Sequence, residues 1–326
     1  MSVTPRQFVP TVSAPRRRAG RNLPSTEPVW LKGCILCGGS RFGSDYPSHF
    51  PWLSHCQDCG LRQARPQPSD AELARVYDDD YYKTFGFDPL SAGRYRTMKQ
   101  ASFDRLLEVA ERHFRIGRLL DVGSALGDLL AAAIRRGWDV RGVEPIPFAA
   151  SRADEVAPGA TFTGTLEEMD PAEQGFDLVT CVDVIEHLRR PDQTLSRMYR
   201  CLRPGGGALI ATNDVEDARS RTMGPRWPHY HVDHLWYFSQ HTLSALAEAA
   251  GFEVVSVQRA RKIFNLSYVL GILAHSPNHR SLQRFARIAL RSVPEPLLRL
   301  LLPPVQEGFL LLARRPRERV SKQTHA

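Results

Sequence analysis

The stretch LLDVGSALGD at residues 119–128 decides the fold of this chain. Its first four residues predict a buried strand, and a turn with glycines at positions 123 and 127 leads directly into a helix. Glycine permits a tight turn in which a ligand touches the backbone, and a helix N-terminus offers free N–H donors. Glu144 ends the next predicted strand, 21 residues after Gly123, where a carboxylate can accept both hydroxyls of a ribose. Together these features predict a nucleoside-binding site.

The sequence around this stretch alternates short apolar runs with helical stretches. The predicted strands are 119–122, 139–143, 161–163, 176–182, 208–212, 252–258 and 308–313. The predicted helices are 69–82, 93–114, 127–136, 147–156, 191–202 and 240–250. Near-continuously apolar strands separated by helices predict an α/β fold with a Rossmann-like parallel sheet covered on both faces.

A dinucleotide-binding fold is the alternative interpretation of the glycine turn. Such folds use the pattern G-x-G-x-x-G and place a pyrophosphate on the helix dipole. Here Asp121 precedes the first glycine, and its carboxylate would repel a pyrophosphate but suit a cationic amino-acid group. The turn therefore favours a nucleoside with such a group over a nicotinamide cofactor.

Four blocks follow one another along the domain: DVGSALG at 121–127, Glu144, GFDLV at 175–179 ahead of EHL at 186–188, and LRPGGG at 202–207. In this order and spacing they resemble the class I S-adenosylmethionine-dependent methyltransferases, over roughly residues 117–260. The resemblance implies methyl transfer and a seven-stranded sheet whose last strand is antiparallel. Ala125 departs from the family pattern, which more often has glycine there, and predicts a slightly looser cofactor turn.

The resemblance also implies where S-adenosylmethionine binds. The residues it assigns to the cofactor are Asp121, Gly123, Ser124, Gly127, Glu144, Pro145, Thr165, Leu166 and Asp183. Of these, Asp121 and the two glycines would line the methionine part, and Glu144 would take the ribose. Thr165 and Leu166 would lie near the adenine, and Asp183 would face the methyl group.

Two cysteine pairs indicate a metal-binding module at residues 30–66. The pairs are Cys34-Ile-Leu-Cys37 and Cys56-Gln-Asp-Cys59, and 18 residues separate them, as in four-cysteine zinc ribbons. A site of four thiolates is closed, so Zn²⁺ would fold the module and do no chemistry. A redox dithiol is the rival interpretation. Similar ribbons precede nucleotide-sugar C-methyltransferases and certain ribosomal RNA guanine methyltransferases.

The loop after the fourth strand holds the predicted catalytic groups. Asp183, Glu186 and His187 resemble the acid-x-x-Glu-His pattern of O-methyltransferases that hold a divalent ion, including ubiquinone-pathway and terminal-ribose RNA enzymes. A metal here would lower the pKa of a substrate hydroxyl. His187 could instead act as a general base without metal, or Glu186 and His187 could only hold the loop. The loop lacks the prolines of enzymes that methylate base amino groups.

The connection at 224–239 is rich in histidine and aromatic residues. In the family this connection lies over the substrate, and we expect His231 and His234 to contact the acceptor. Aromatic faces suit sugar or ring substrates. We expect at least two of the consecutive aromatic residues at 236–238 to pack in the core instead.

The remaining segments give the domain organisation. Residues 1–29 and 314–326 are predicted to be basic disordered tails, 67–116 a helical linker, and 117–313 the catalytic domain with a helical insertion at 263–305. The net charge of +8 is concentrated in the tails and in 259–301, not around the predicted site. The insertion could form an amphipathic lid over the site or lie on an anionic membrane surface.

The sequence predicts a cytoplasmic S-adenosylmethionine-dependent methyltransferase. The expected acceptor is a hydroxyl or carbon of a small molecule, with a sugar or glycan precursor favoured. The alternative is an RNA 2′-hydroxyl or base methyltransferase in which ribbon and tails grip RNA. We expect no DNA partner and at most peripheral membrane contact. A partner-binding module that keeps a cofactor pocket is the non-enzymatic reading.

Overall fold

A computed structural model describes residues 26–44, 52–76, 89–224, 227–275 and 280–317 of the chain. Most of the two predicted tails lies outside the described residues, as does the predicted helical segment 77–82. The helices are α1 Asp70–Val76, α2 Pro89–Glu111, α3 Asp128–Arg135, α4 Pro147–Val156, α5 Pro191–Cys201, α6 Ala218–Met223, α7 Gln240–Ala249, α8 Leu266–His275, α9 Arg280–Ser292 and α10 Glu295–Leu298. Within the described part of the chain, no helix is long and apolar enough to cross a membrane.

In the described residues, eleven strands form two sheets. They are β1 Phe42–Ser44, β2 Leu53–Cys56, β3 Arg62–Ala64, β4 Arg118–Val122, β5 Asp139–Glu144, β6 Thr161–Thr163, β7 Phe176–Val182, β8 Leu202–Thr212, β9 Trp236–Tyr237, β10 Glu253–Lys262 and β11 Val305–Arg314. The seven-stranded sheet has the order β10-β11-β8-β7-β4-β5-β6. Strand β11 is antiparallel to both of its neighbours, and the strands from β8 to β6 are parallel. The predicted α/β class, seven strands and antiparallel last strand are confirmed.

Strand β4 shows how the sheet separates two apolar layers. Leu120 and Val122 point into one buried cluster, whereas Leu119 points into the other, because successive side chains of a strand face opposite sides. Helices α3 and α4 contribute to the second layer, and α5 and α7 contribute to the first. Both faces of the sheet are therefore covered, and a ligand can be bound at the ends of its strands.

The insertion between β10 and β11 forms three helices in the described residues, α8 to α10, as predicted. They pack around a small cluster of their own, which includes Leu270, Ala274, Ala286 and Leu298. Strand β10 runs four residues further than predicted and ends at Lys262.

The second sheet has the order β1-β2-β3-β9 and joins the cysteine module to the catalytic domain. Strand β9 belongs to the histidine-rich connection, and Gln63 pairs with Trp236 across the join. Leu53 of the module also packs with Trp227 and Tyr237. The ribbon and the connection are therefore one packed unit.

Candidate active site

The residues assigned to the cofactor follow the carboxyl ends of neighbouring parallel strands. Gly123 follows β4, Glu144 ends β5, Thr165 follows β6 and Asp183 follows β7. In open α/β sheets, ligands bind in the crevice at these ends. The fold therefore brings the cofactor residues predicted from the sequence to one side of the sheet, the carboxyl ends of its parallel strands. We call this side the cofactor edge.

The glycine turn has the geometry that its glycines allow. Gly123 has φ 76° and Gly127 has φ 82°, in the left-handed region. A Cβ on Gly123 would lie 2.5 Å from Cγ2 of Val184, and one on Gly127 would lie 2.9 Å from Cα of Ala153. Ala125 also has a positive φ of 45°, so the alanine adopts a backbone conformation that costs an L-residue free energy.

Glu144 ties the glycine turn to the next helix. Its carboxylate accepts hydrogen bonds from the Ala125 N–H at Oε2 and the Ile146 N–H at Oε1, both at 2.9 Å, and the residue is only 4% exposed. Each carboxylate oxygen has a second lone pair, so the group can still accept ribose hydroxyls. Its position beside the turn fits the predicted role.

Asp121 is buried inside the sheet next to Glu144. The Thr180 hydroxyl of β7 donates to its carboxylate at 2.7 Å. Burial raises the pKa of Asp121 to about 7; the Thr180 hydrogen bond opposes the rise and the nearby Glu144 charge adds to it.

The hydroxyl group of Ser124 indicates that a polar ligand fits the glycine turn. Its hydroxyl oxygen is buried and has no hydrogen-bond partner among the described residues. A polar group of a bound nucleoside would satisfy it. Further along the edge, Pro145 and Thr165 are exposed, whereas the Leu166 side chain is 2% exposed and packs in the core. Leu166 can therefore meet an adenine mainly through its backbone.

Glu186, His187 and His234 form a compact cluster at the end of β7. Potential ligand atoms of the three side chains lie within 4.8 Å of one another. The rings of His187 and His234 meet edge to face with centroids 4.6 Å apart. His187 Nδ1 lies 3.0 Å from the carbonyl oxygen of Asp233 and 3.4 Å from its carboxylate. Oε2 of Glu186 is buried without a hydrogen-bond partner in the described part of the chain.

The electrostatics of this cluster follow from its burial. Burial raises the pKa of Glu186; His187 opposes the rise and Asp183 adds to it. Burial lowers the pKa of His234, and the neighbouring His187 and His231 lower it further. His234 is therefore a neutral imidazole at pH 7, a weak proton acceptor whose ring nitrogen can ligate a metal ion.

Asp183 lies apart from this cluster, contrary to the predicted grouping of Asp183, Glu186 and His187 as metal ligands. It has φ 54°, and its carboxylate accepts a hydrogen bond from Lys262 Nζ at 2.8 Å. His234 takes the third place beside Glu186 and His187. Since His234 is 47 residues beyond His187, only the folded chain reveals this grouping.

His231 lies at the rim of the cluster. It is exposed, and its ring centroid is 5.2 Å from that of His234. Tyr237 donates its hydroxyl hydrogen to the His231 carbonyl oxygen at 3.1 Å. The predicted packing of the aromatic run is confirmed for Trp236, Tyr237 and Phe238, which are all buried.

Several groups beside the cluster were not identified in the sequence. Lys262 reaches Asp183 because β10 is longer than its pattern indicates. His229 Nε2 lies 3.2 Å from the Glu307 carboxylate at the start of β11. Tyr268 stacks on Phe264 with centroids 4.9 Å apart. No spacing signal in the sequence links these segments.

The four ribbon cysteines converge as their spacing predicts. All four sulfur atoms lie within 4.8 Å of one another, with Cys34 Sγ 3.5 Å from Cys59 Sγ and Cys37 Sγ 3.5 Å from Cys56 Sγ. A tetrahedral zinc site with Zn–S bonds of about 2.3 Å separates sulfurs by roughly 3.8 Å, whereas a disulfide needs about 2.05 Å. The thiol set therefore fits a metal ion.

Backbone hydrogen bonds connect the ribbon to the cluster. The Ala64 N–H of β3 donates to the Leu235 carbonyl at 2.8 Å, and the Leu235 N–H donates to the Glu186 carbonyl at 2.8 Å. Trp236 Nε1 donates to the Leu188 carbonyl at 2.7 Å. The strand that closes the ribbon sheet thus also fixes the backbone of Glu186.

Comparison with known proteins places this fold in a family. The profile of the family described as Methyltransferase domain matches residues 92–257, more than half of the chain. The ubiquinone biosynthesis O-methyltransferase of Saccharophagus degradans is 31% identical over 115 residues, 33% of this chain and 47% of that protein. The ubiquinone biosynthesis O-methyltransferase of Azorhizobium caulinodans is 31% identical over 150 residues, 42% of this chain and 59% of that protein. The chain spans about half the length of these curated relatives.

A solved structure of 1,6-didemethyltoxoflavin-N1-methyltransferase from Burkholderia thailandensis, with bound S-adenosylhomocysteine, is 19% identical. It covers 80% of this chain and 98% of its own, with a TM-score of 0.48. The family match, the sheet order and the sequence blocks at the strand ends agree with one another. The chain belongs to the methyltransferase-domain family.

Proposed function

We propose that this enzyme transfers the methyl group of S-adenosylmethionine to a hydroxyl of a small molecule, bound beside Glu186, His187 and His234. The observation that carries the proposal is the cluster itself. It puts two imidazoles and a buried carboxyl at the end of β7, next to the cofactor edge, and one oxygen of that carboxyl has no hydrogen-bond partner among the described residues. A hydroxyl needs a proton acceptor to become a nucleophile, and amines and thiolates need it less.

The proposed step is an in-line displacement. The acceptor oxygen forms a bond to the methyl carbon while the carbon–sulfur bond breaks, and the electron pair stays on sulfur to give S-adenosylhomocysteine. The hydroxyl proton passes to Nε2 of His187. Asp233, at Nδ1 of the same ring, orients the imidazole for this transfer.

The same three side chains also fit a divalent cation. One carboxylate and two imidazoles are a common ligand set for first-row metal ions. When bound, such an ion would lower the pKa of the acceptor hydroxyl. Glu186, His187 and His234 would hold it, and His231 at the rim remains free to contact the acceptor.

The surroundings of the cluster favour a ring-shaped or sugar-like acceptor, such as a glycan precursor. Phe264 and Tyr268 stack on each other, and Tyr95 meets Tyr268 edge to face. Lys262 and Asp183 add paired charges that can bind hydroxyls. The relatives named as ubiquinone biosynthesis O-methyltransferases support an oxygen acceptor.

For the rest of the site, we propose that the glycine turn, Ser124 and Glu144 hold S-adenosylmethionine and that Cys34, Cys37, Cys56 and Cys59 hold a structural Zn²⁺. The sulfur spacing and the neighbouring positive-φ glycines support the zinc assignment. None of the six cysteines is in a disulfide and four of them form the proposed zinc site, which supports a reducing, cytoplasmic setting.

The test is product analysis after incubation with isotopically labelled S-adenosylmethionine. Nucleotide sugars, phenolic ring compounds and total RNA are offered separately, and mass spectrometry locates the new methyl group. We expect an O-methylated small molecule. Label in RNA alone, or on nitrogen, would refute the proposal.

The histidine variant His187→Gln sharpens this test. We expect kcat to fall by roughly 10²–10³, as for loss of a general base, while the affinity for S-adenosylmethionine stays unchanged. His241→Gln changes an exposed histidine of α7 and is the matched control, with no expected effect. Metal removal and add-back with His187 intact then separates the cation from the base, since only a cation requirement is restored by added metal.

A further inference from the structure

Exposed apolar side chains concentrate in the insertion. Of the eleven exposed large apolar side chains in the described part of the protein, six lie within residues 282–301. They are Leu282, Phe285, Ile288, Leu297, Leu300 and Leu301. Phe285 is 65% exposed and Ile288 is 55% exposed, although both belong to a regular helix, α9. Such a concentration marks a binding surface, because single scattered apolar residues are the norm.

The same helix carries three arginines on a face that adjoins the exposed apolar residues. Arg284, Arg287 and Arg291 recur at spacings of three and four residues, so they share one face of α9. With Gln283 and Ile288 they line a groove of about 480 Å³. No described carboxylate lies within ion-pair distance of these three arginines.

The inner face of α9 packs against the other helices of the insertion. This packing fixes the directions of the arginine face and of the exposed apolar residues. Ala286 is fully buried and packs with Leu270 and Ala274 of α8 and with Leu298 of α10. The bridge between Asn265 and Leu301 closes the base of the insertion. The exposed apolar residues therefore cannot turn inward without unpacking this cluster, and of the arginine side chains that of Arg287 also donates to the Ala274 carbonyl of α8 at 3.4 Å.

We infer that α9 and the segment after it dock on the surface of an anionic phospholipid bilayer. An interfacial helix has exposed bulky apolar residues beside arginines, the former inserting among acyl chains and the latter meeting phosphates. An RNA surface would match the arginines but would leave Phe285, Ile288 and the leucines in water. The helices of the insertion are too short to span a bilayer, so the contact is peripheral.

This surface goes beyond the proposed methyl transfer and is tested without it. The insertion begins directly after Lys262, whose ammonium contacts Asp183 at the site.

The experiment is co-sedimentation of the full chain with vesicles of phosphatidylcholine, with and without phosphatidylglycerol. We expect binding only to the vesicles that contain phosphatidylglycerol. The triple variant R284Q/R287Q/R291Q should bind about 100-fold more weakly, at about fivefold per arginine. The variant F285S/I288S, which changes only exposed positions, should lose at least about tenfold.

The matched control is R96Q/R105Q/R112Q, which removes three exposed arginines from α2 and the same total charge. It should bind like the unaltered protein, and turnover of a water-soluble acceptor should be equal in all four proteins. Absence of vesicle binding, equal binding to phosphatidylcholine alone, or an equal loss in the control would overturn the inference. So would RNA retention that depends on the α9 arginines but not on Phe285 and Ile288.

Discussion

The proposed cofactor end and the proposed acceptor end of this site are built in different ways. The cofactor end comes from one continuous piece of chain, from β4 through the glycine turn to Glu144. The acceptor end is assembled from β7, the histidine-rich connection, the end of β10 and a ribbon strand that precedes them all. The first is determined by local sequence, and the second depends on distant parts of the chain packing together. A substitution that disrupts the acceptor end should therefore lower turnover and leave cofactor affinity unchanged, and a substitution at the cofactor end should lower cofactor affinity and leave the acceptor end folded.

The largest effect should come from breaking the ribbon, with Cys56→Ser. Loss of one ligand removes the metal and with it the fold of the module, so β9 and Glu186 lose their support. Turnover should fall on the order of 10⁴, because several catalytic groups lose their positions at once. Affinity for S-adenosylmethionine, measured by calorimetry, should stay within about twofold, because the substitution alters no predicted contact with the cofactor.

Cys201→Ala is the control for this variant, since it removes a buried thiol that does not belong to the four-cysteine cluster. It should retain bound metal and turnover. If Cys56→Ser abolished cofactor binding as well as turnover, the two ends would not be independent.

The converse change is Glu144→Gln at the cofactor end. The amide keeps the size of the side chain but presents two donors where the Ala125 and Ile146 N–H groups and the ribose hydroxyls all require acceptors. Affinity for S-adenosylmethionine should fall about 30-fold, or roughly 2 kcal/mol, while zinc content stays constant. Glu155→Gln, at an exposed position of α4, should change neither. Unaltered cofactor affinity in Glu144→Gln would contradict the assigned role.

Asp121 gives the cofactor end a pH dependence. Its pKa is raised to about 7 in the folded protein, so between about pH 4 and pH 7 the folded state binds more protons than the unfolded state. The free energy of unfolding of the ligand-free protein should therefore decrease as pH rises through this range, by up to about 1.4 kcal/mol per pH unit, and level off above it. Asp121→Asn should remove this slope in urea unfolding at several pH values. An unchanged slope would mean that other groups cause it.

The smallest expected effect is at Ala125. Its left-handed conformation costs an L-residue about 1–2 kcal/mol, and glycine loses about 0.5–1 kcal/mol more entropy on folding. Ala125→Gly should therefore raise the free energy of unfolding by less than about 1 kcal/mol. Gly123→Ala should have the opposite sign, because its Cβ would meet Val184. Urea unfolding of both variants checks the pair, and destabilisation by Ala125→Gly would show that the turn needs its methyl group.

The same division explains what the sequence could predict. The sequence predicts Gly123, Gly127 and Glu144 as cofactor residues because strand, turn and acid stand at fixed short spacings, and the structure places all three beside the same turn. The partner of Glu186 and His187 was assigned to Asp183, but the left-handed backbone of Asp183 and its pairing with Lys262 direct that carboxylate elsewhere. His234 replaces it through tertiary packing. No local pattern encodes a contact between segments so far apart.

The ribbon was predictable as a metal module, but not as a part of the active site. The paired cysteines and the glycines that follow them determine the two tight turns that carry the potential metal ligands. The junction of Gln63 with Trp236 depends on which strand edge is left uncovered after the catalytic domain folds.

That junction also has a consequence for synthesis of the protein. The edge strand Arg62–Ala64 leaves the ribosome long before Trp236 and Tyr237 exist to cover it. Until then the nascent chain presents unpaired backbone groups beside the buried Leu61 and Leu53, a template for wrong pairing with another chain. Slow or interrupted translation between the two segments should therefore increase aggregation, whereas early loading of zinc should not prevent it.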